Sequence, residues 1–297
     1  MKDLVLLGPN INAEALDTFK VVCTPERITT SRQSARCTSV RDDPETRKAV
    51  AGLATYWKID AAFVDPAARL SDFRLLAMDM DSTLISIESL DEVAACAGRG
   101  PEVAAITEAA MRGEIADYKE SLRRRVAMLE GTDAALLQRV LDDRLRLNPG
   151  AEDLLRACRQ AGLKTLLVTG GFTFFTDRMR ERLGFDYTRA NELEVINGRL
   201  TGRVTGPAGG EIIDADGKAR ALAEACEQLG CSTGRAIAIG DGANDLKMLK
   251  LAGISVAYRA KPIVHQQATY ALNHARLDGV LAWFANEPRA ISQPSAA

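Results

Sequence analysis

Four short, largely apolar runs are the most regular feature of the chain. They cover residues 73–78, 165–168, 236–239 and 254–257, and stretches of helical character separate them. Runs of this length are typical of strands that are buried on both faces of a parallel sheet. The alternation of such strands with helices predicts an α/β fold whose main domain is a doubly wound, mostly parallel sheet.

The first 70 residues have a pattern of their own, with the order strand, helix, strand, helix, strand. The predicted elements are residues 4–7, 12–21, 28–40, 44–57 and 61–64. Residues 66–72 then connect this segment to the main domain. Because residues 1–70 contain no convergent set of catalytic side chains, we expect a small α/β domain with an accessory role. Sensing of an amino acid, dimerisation of the chain and shielding of the core are the alternatives for its task.

A segment of about 85 residues between the first two buried runs is almost entirely helical in character. Its predicted helices are residues 90–98, 101–112, 117–129 and 134–145. A helical insertion beside a crevice is a natural lid, so we expect a helical cap over about residues 86–148 of a main domain that spans residues 71–285. Residues 286–297 contain two prolines and small polar residues, and they are predicted to form a flexible tail.

The charge balance and the cysteines narrow the class of protein. With 38 basic and 40 acidic residues, the 297-residue chain has a net charge of −2, which gives no electrostatic reason to expect a nucleic acid or an anionic membrane as partner. The apolar stretch at residues 4–7 is too short for a secretory signal, and no apolar run approaches the roughly 18 residues of a membrane span. We therefore expect a cytoplasmic protein whose scattered cysteines stay reduced.

Three of the four buried runs lead directly into polar or glycine-rich turns. Asp79 and Asp81 follow the first run, Thr169 and two glycines follow the second, and Asp241 and Asp245 follow the third. Ligands of open α/β sheets bind beyond the carboxyl ends of the strands, so these turns are expected to face one crevice. Solvated turns with helix-capping aspartates are the alternative for any one of them alone.

Four carboxylates in one crevice repel one another unless a cation lies among them. Oxygen ligands on tight glycine turns suit Mg²⁺, which keeps several waters and pairs with phosphate. The hydroxyl of Thr169 and the amides that follow it would form an anion site. Lys218 would add a positive charge, although a surface lysine is the alternative for that residue alone. Together, these residues indicate metal-assisted chemistry on a phosphate group.

These residues, in this order, resemble the four motifs of the haloacid dehalogenase superfamily of phosphatases. Residues 79–83 resemble the first motif, Thr169 the second, Lys218 the third and residues 240–245 the fourth. The helical segment between the first two motifs resembles the cap that one subclass carries there. The resemblance implies a haloacid dehalogenase-like fold, with Mg²⁺ as cofactor and residues 71–285 as the phosphatase domain.

Within the superfamily, residues 73–284 resemble the phosphoserine phosphatases. The likeness is carried by DMDSTLI at residues 79–85, ITEAAMRGE at 106–114, GGFTFF at 170–175 and ANELE at 190–194. It implies hydrolysis of O-phospho-L-serine to L-serine and phosphate, the last step of serine biosynthesis. The second motif of that family usually begins with serine, whereas Thr169 stands here and keeps the hydroxyl.

The same resemblance implies a role for each site residue. Asp79 would be the nucleophile that forms an aspartyl-phosphate, and Asp81 the acid and base. The residues implied to bind the phosphoryl group are Thr169, Gly170, Lys218 and Asn244. The implied metal ligands are Asp79, Asp81 through its backbone carbonyl, and Asp241, with Asp245 as support for the metal shell. Glu88 and Arg125 would hold the ammonium and carboxylate groups of the substrate.

Helical spacing also predicts that Arg125 faces the interior of the cap. It lies three residues after Leu122 and four before Leu129 on the apolar stripe of the predicted helix, whereas Arg123 and Arg124 point elsewhere. An inward arginine needs an anion, and a structural ion pair with an acid of the cap is the alternative.

Two other functions remain as alternatives for the whole chain. One is a phosphatase or phosphotransferase of the same superfamily that acts on another small phosphomonoester. The other is a catalytically silent binding protein, against which the retention of Asp79, Asp81, Lys218 and Asp241 argues. The expected partner is a small-molecule substrate, with no nucleic acid and no membrane, and a homodimer is one of the alternatives for the assembly.

Overall fold

A computed structural model describes residues 1–31 and 33–285 of the chain. Their contacts divide into two compact units. The first unit is Met1–Asp72 with a C-terminal segment that starts at Gly279, and the second is Phe73–Asp278. The predicted flexible tail, residues 286–297, lies outside the described residues. In the described ranges, no helix is both long and apolar enough to cross a membrane.

The first unit contains one antiparallel sheet and two helices. Its elements are β1 (Lys2–Leu7), α1 (Ala13–Cys23), β2 (Arg27–Ser31), β3 (Ser34–Val40), α2 (Pro44–Trp57) and β4 (Asp60–Val64). The strand order is β2-β3-β1-β4. Leu4 and Leu6 of the central strand share one buried cluster with Phe19 of α1 and Val50 of α2. The helices begin at side-chain caps, since Asn12 accepts a hydrogen bond from Ala15 N and Asp43 accepts one from Thr46 N.

The single strand predicted at residues 28–40 is wrong, because the chain reverses there. β2 and β3 pair antiparallel with Ser31 opposite Ser34, so the order of elements is β-α-β-β-α-β. The sequence pattern is consistent with this reversal. The core-facing residue of β2, Ile28, has an even number, whereas the core-facing residues of β3, Ala35 and Cys37, have odd numbers. A single strand would have kept one parity, since its side chains alternate strictly between the two faces.

The second unit is built on the parallel sheet that the apolar runs predict, with helices on both faces. Its elements are β5 (Leu75–Met78), α3 (Ser89–Cys96), α4 (Gly100–Met111), α5 (Tyr118–Ala127), α6 (Ala135–Asp143), α7 (Ala151–Gln160), β6 (Lys164–Phe172), α8 (Thr173–Leu183), β7 (Tyr187–Ile196), β8 (Arg199–Thr205), α9 (Ala215–Gln228), β9 (Ala236–Gly240), α10 (Leu246–Leu251), β10 (Ile254–Tyr258), α11 (Pro262–His265) and β11 (Tyr270–Leu272). The strand order is β11-β10-β9-β5-β6-β7-β8, and every pair is parallel except β7 with β8. The predicted fold class is confirmed.

The central strands hold the site in place through complete burial. All four residues of β5 and all five of β9 are buried. Leu75 and Ala77 of β5 belong to one apolar cluster with Leu166 of β6 and Leu222 of α9. The ends of β5, β6 and β9 are therefore fixed relative to one another, and the candidate site residues follow these ends.

The cap helices fall where the sequence predicts them. Helices α3 to α6 occupy the interval between β5 and α7, each within a few residues of its predicted bounds. Their apolar faces are buried, with Val93 of α3, Val103 of α4, Val126 of α5 and Val140 of α6 each no more than 1% exposed. The hairpin of β7 and β8 and the short edge strand β11 had no prediction, because their residues are largely half-buried or exposed and lack an apolar run.

Candidate active site

Asp79 directly follows β5 and lines the crevice at the carboxyl end of that buried strand. Its amide donates to Ile239 O of β9 at 3.0 Å, so the backbone stays tied to the sheet at this position. The carboxylate is only 5% exposed. Its Oδ1 accepts hydrogen bonds from Met80 N and from Lys218 Nζ, each at 2.8 Å. The lone pairs of the proposed nucleophile are thereby held in a fixed direction.

An irregular helical turn, Met80–Leu84, follows and carries Asp81. Ser82 has φ +56°, a left-handed conformation that costs energy for any residue with a Cβ. Asn148 stabilises this turn, because its Nδ2 lies 3.2, 2.9 and 3.1 Å from the carbonyl oxygens of Ser82, Thr83 and Ile85. The side chain of Asn148 therefore fixes the backbone that presents Asp81 to the cavity.

Asp81 is bound at the first turn of the cap. Its two oxygens accept hydrogen bonds from Ser89 N at 3.2 Å and Ser89 Oγ at 3.0 Å. Burial raises the pKa of Asp81 to about 7, and the nearby carboxylate of Glu88 adds to the increase. A carboxyl group with a pKa near neutrality can both give and take a proton, which is what a general acid and base requires.

Lys218 is buried, so the alternative of a surface lysine is excluded. It is 1% exposed in α9, a helix whose N-terminus is capped by Asp214. Its ammonium bridges Asp79 Oδ1 at 2.8 Å and Asp245 Oδ1 at 2.7 Å. Burial alone would lower the pKa of Lys218, but the carboxylates of Asp245 and Asp79 outweigh burial and raise it, so the ammonium stays charged.

Three carboxylates lie close to one another at this ammonium, and two of them contact it. Oxygens of Asp79, Asp241 and Asp245 lie within 4.8 Å of one another. Burial raises the pKa of Asp79 well above its ordinary value, and Asp245 adds to the rise while Lys218 opposes it. Burial also raises the pKa of Asp241 to about 6. The hydrogen bond that Thr83 Oγ1 donates to Asp241 at 2.8 Å lowers this pKa, but its effect is smaller than that of burial. The surplus of negative charge and the all-oxygen donor set fit a small, hard cation.

Both carboxylate oxygens of Asp245 accept hydrogen bonds from neighbouring groups. Besides Lys218, it accepts hydrogen bonds at Oδ2 from Asp241 N at 3.1 Å and Gly242 N at 2.9 Å. A side chain at Gly240 would collide with it, since a Cβ there would lie 2.5 Å from Asp245 Cγ. Asp245 therefore orients Lys218 and the turn after β9, which suits a support for a metal shell more than a direct ligand.

Thr169 and the two glycines lie at the end of β6. Thr169 is buried, and its Oγ1 accepts a hydrogen bond from Gly171 N at 2.9 Å. Asn191 of β7 donates to Gly170 O at 2.8 Å and so ties the turn to the next strand. β6 includes both glycines and ends at Phe172, and α8 begins directly after it. The ladder with β7 is interrupted after Val168 and resumes at Phe172, which pairs with Asn191.

A cavity of about 420 Å³ brings the predicted residues together. The predicted site residues that line it are Asp79, Asp81, Glu88, Arg125, Thr169, Gly170, Asp241 and Asn244. Of the two remaining, Lys218 and Asp245, the first contacts Asp79 directly and the second contacts Lys218. Apolar side chains of the cap, including Met111 and Ile115, complete the wall. The cavity size suits a small phosphorylated metabolite.

Within the described residues, Arg125 of the cap has a buried side-chain nitrogen, Nε, without a protein partner. Its neighbours Arg123 and Arg124 are exposed, as the helical spacing predicts. Glu88 is exposed, and it accepts a hydrogen bond from Ser82 Oγ at 2.7 Å. The alternative of a structural ion pair for Arg125 is absent from residues 1–31 and 33–285.

Several residues that shape the site were not predicted from the sequence. They are Thr83, Ser89, Asn148, Asn191 and Tyr118. Ser89 and Thr83 lie inside or beside the first motif, so their proximity to Asp79 could have drawn attention to them. Asn148 and Asn191 act on turns that are distant in the sequence, and no local pattern reveals those contacts.

Comparison with known proteins identifies the family. Residues 76–250 match the haloacid dehalogenase-like hydrolase family. A phosphoserine phosphatase of Polaromonas sp. is 61% identical over 216 residues, which is 73% of this chain and 92% of that protein. A phosphoserine phosphatase of Albidiferax ferrireducens is 54% identical over 219 residues, 74% of this chain and 92% of that protein.

Solved structures agree with these relatives. A probable phosphoserine phosphatase from Vibrio cholerae, in its unliganded form, covers 95% of this chain and 86% of its own, with 32% identity and a TM-score of 0.81. A substrate-bound phosphoserine phosphatase complex covers 71% of this chain and 98% of its own, with 33% identity and a TM-score of 0.65. The chain therefore belongs to the haloacid dehalogenase-like hydrolase family, and within it to the phosphoserine phosphatases.

Proposed function

We propose that this chain hydrolyses O-phospho-L-serine to L-serine and inorganic phosphate through an aspartyl-phosphate on Asp79. The observation that carries the choice of substrate is Arg125, whose buried Nε has no partner among the described residues while its side chain lines the cavity of Asp79. A buried guanidinium nitrogen without a hydrogen-bond partner is costly. A substrate carboxylate would supply that partner in a site that already has the features of a phosphoryl-transfer centre.

In the first step, an oxygen of Asp79 attacks phosphorus and the bond between phosphorus and the serine oxygen breaks. The departing oxygen takes the proton of Asp81, whose pKa of about 7 leaves it partly protonated at neutral pH. The hydrogen bonds from Met80 N and Lys218 Nζ hold Asp79 Oδ1 and leave its second oxygen for the attack. Serine leaves as the neutral alcohol, and the phosphoryl group stays on Asp79.

In the second step, water attacks the aspartyl-phosphate. Asp81 is now ionised and accepts a proton from that water, which regenerates the acid and releases inorganic phosphate together with free Asp79. Lys218, Thr169, the Gly170 amide and Asn244 would bind the phosphoryl oxygens in both steps. Phosphoryl transfer depends mainly on such positioning and charge neutralisation, because the enzyme has little other covalent work to do.

Mg²⁺ is the cation that best fits the crowded carboxylates. The residues that would hold it are Asp79 and Asp241 through their side chains and Asp81 through its backbone carbonyl, with Asp245 supporting them. When bound, the ion neutralises charge on the phosphoryl group and on the nucleophile. The proximity of three carboxylates to a single ammonium supports this assignment.

Glu88 and Arg125 would bind the amino-acid part of the substrate. Both line the cavity from the cap, and they carry opposite charges. Arg125 would bind the carboxylate and Glu88 the ammonium group, so the pair matches a zwitterion. This reaction is the last step of serine biosynthesis, for which a cytoplasmic location is the expected one. A homodimer stays a prediction.

The experiment that tests the proposal is phosphate release from a panel of phosphomonoesters, with Mg²⁺ and with chelator. We expect the highest kcat/KM for O-phospho-L-serine, a lower value for phosphoethanolamine, which lacks the carboxylate, and loss of activity in chelator. Preference for another phosphomonoester would favour a different phosphatase of the superfamily. No turnover of any ester would favour a silent binding protein.

A further inference from the structure

Tyr118 approaches the phosphate-binding turn from the cap. It is the first residue of α5, and it lines the same cavity as Asp79 and Thr169. A Cβ placed on Gly170 would lie 2.0 Å from Tyr118 Oη and 3.1 Å from Tyr118 Cζ. The phenol oxygen therefore sits directly over Gly170, in space that no side chain at position 170 could share.

The hydroxyl of Tyr118 is a donor that the protein leaves unused. Within residues 1–31 and 33–285, this hydroxyl makes no hydrogen bond, and the side chain is half-buried. Burial raises the pKa of Tyr118, and the positive charges of Lys218 and Arg125 only partly oppose this effect. The phenol is accordingly protonated at neutral pH, and its oxygen lies at the wall of the cavity that contains Asp79 and Thr169.

Contacts of the neighbouring residues hold the start of α5, and with it Tyr118, in place. Asp117 caps α5 by accepting a hydrogen bond from Lys119 N at 3.0 Å. The ammonium of Lys119 lies 3.1 Å from Glu211 Oε2 and 3.4 Å from Asp214 Oδ2, in the segment that leads into α9. These contacts fix the start of the cap helix beside the helix that carries Lys218.

We propose that Tyr118 is a substrate-positioning residue whose hydroxyl donates a hydrogen bond to a non-bridging phosphoryl oxygen held over Gly170. This inference rests on the proposed phosphatase function and adds a contact from the cap to the phosphoryl group. Arg125 lies two helical turns further along α5, so one helix would hold the two anionic ends of the substrate. Tyr118 takes the phosphoryl end because its oxygen contacts the phosphate-binding turn itself.

The direct test is Tyr118→Phe, with Tyr56→Phe in the first unit as the matched control because Tyr56 is 76% exposed. A hydrogen bond to a charged oxygen implies a decrease of about 10- to 100-fold in kcat/KM. We expect that decrease for both O-phospho-L-serine and p-nitrophenyl phosphate, and a similar weakening of competitive inhibition by inorganic phosphate. Thermal melting of the variant with unchanged midpoint would show that it is folded.

Two results would overturn the assignment. Unchanged kinetics would mean that the ring only forms part of the wall, and a loss confined to O-phospho-L-serine would mean that the hydroxyl binds the amino-acid end. The readouts with p-nitrophenyl phosphate and inorganic phosphate remain valid if phosphoserine proves not to be the substrate. Failure of the substrate proposal and failure of the Tyr118 proposal are thus separable.

A second test uses the contact between the two residues. Gly170→Ala should displace the Tyr118 hydroxyl and reduce activity, since the new Cβ would lie 2.0 Å from Oη. In the double variant Gly170→Ala with Tyr118→Phe, the nearest ring atom would be 3.1 Å away, so part of the activity lost in Gly170→Ala should return. A double variant whose losses simply multiply would contradict the placement of the hydroxyl over Gly170.

Discussion

Lys218 carries a single positive charge among three carboxylates, of which Asp79 and Asp245 are buried and Asp241 is half-buried. Its ammonium touches Asp79 and Asp245, while Asp241 lies in the same cluster without that contact. Burial raises the pKa of Asp79, and the charges of Asp245 and Asp241 add to the increase, whereas the proposed nucleophilic role requires the ionised form. A bound cation would restore ionisation, which links metal binding to the reactivity of the nucleophile.

Replacement of Asp79, the proposed nucleophile, is the first test at this scale. Asp79→Asn keeps the shape of the side chain but is a very poor nucleophile, so we expect kcat to fall by about four orders of magnitude or more. Phosphate release and acid-quench trapping of the phosphorylated protein would measure the loss. Asp177→Asn, an exposed change on α8, is the control and should retain full activity. Phosphoryl trapping by Asp79→Asn at the wild-type rate would refute the covalent mechanism.

Arg125 decides between phosphoserine and other small phosphomonoesters. A charge-assisted contact between a guanidinium and a carboxylate in a closed site is worth about 2–5 kcal/mol, at least tenfold in kcat/KM. Arg125→Ala should therefore reduce hydrolysis of O-phospho-L-serine by that factor and spare p-nitrophenyl phosphate, which has no carboxylate. Arg123→Ala, on the exposed face of the same helix, should change neither rate. Equal losses on both substrates would assign Arg125 a structural role.

At the scale of elements, Asn148 joins the end of the cap to the start of the catalytic turn. Its Nδ2 contacts three carbonyl oxygens, those of Ser82, Thr83 and Ile85. Asn148→Ala leaves these buried acceptors without a donor, so we expect a loss of about 1–3 kcal/mol in the free energy of unfolding. We also expect a lower kcat, because Asp81 depends on this turn. Chemical denaturation and steady-state kinetics would measure both effects.

The matched variant Asn148→Asp separates the role of the donor from that of the volume. It is nearly isosteric, but it removes the donor and places a carboxylate against carbonyl oxygens. We expect it to be at least as destabilising as Asn148→Ala. Wild-type stability in Asn148→Asp would show that the three hydrogen bonds are not what holds the turn.

The sequence was sufficient for elements that are uniformly buried and for residues that belong to local motifs. Strands such as β5 and β9 have a continuous apolar run, and Asp79 and Asp241 directly follow those runs. The hairpin of β7 and β8 has no such run, because it lies at the edge of the sheet and is largely half-buried or exposed. Residues such as Asn148 act across 63 to 66 positions of the chain, and only the folded structure brings them to the site.

At the scale of the whole molecule, the C-terminal segment belongs to the first unit. Arg36 of β3 pairs with Asp3 at 2.8 Å and also donates to the carbonyl oxygens of Ala282 at 2.7 Å and Phe284 at 3.1 Å. Ala285 N donates to Ala68 O at 2.8 Å. No apolar pattern predicts this return: the phosphatase domain predicted from the sequence ends at residue 285, whereas the contacts divide the chain between Asp278 and Gly279.

The last prediction follows from this division. Every candidate catalytic residue lies in Phe73–Asp278, and a Polaromonas relative is matched over 92% of its length by only 73% of this chain. We expect a protein that spans residues 73–278 to fold and to keep kcat within about tenfold of the full chain, since compact units of this size fold alone. A truncation to residues 66–297 should behave worse, because it keeps Val280, Trp283 and Phe284, which are at most 4% exposed in the full chain, without the unit to which they belong. Steady-state kinetics, thermal melting and gel filtration of both proteins would test this, with the full chain as reference. If the protein of residues 73–278 is well folded but inert, the first unit is not accessory and is needed to complete the active enzyme.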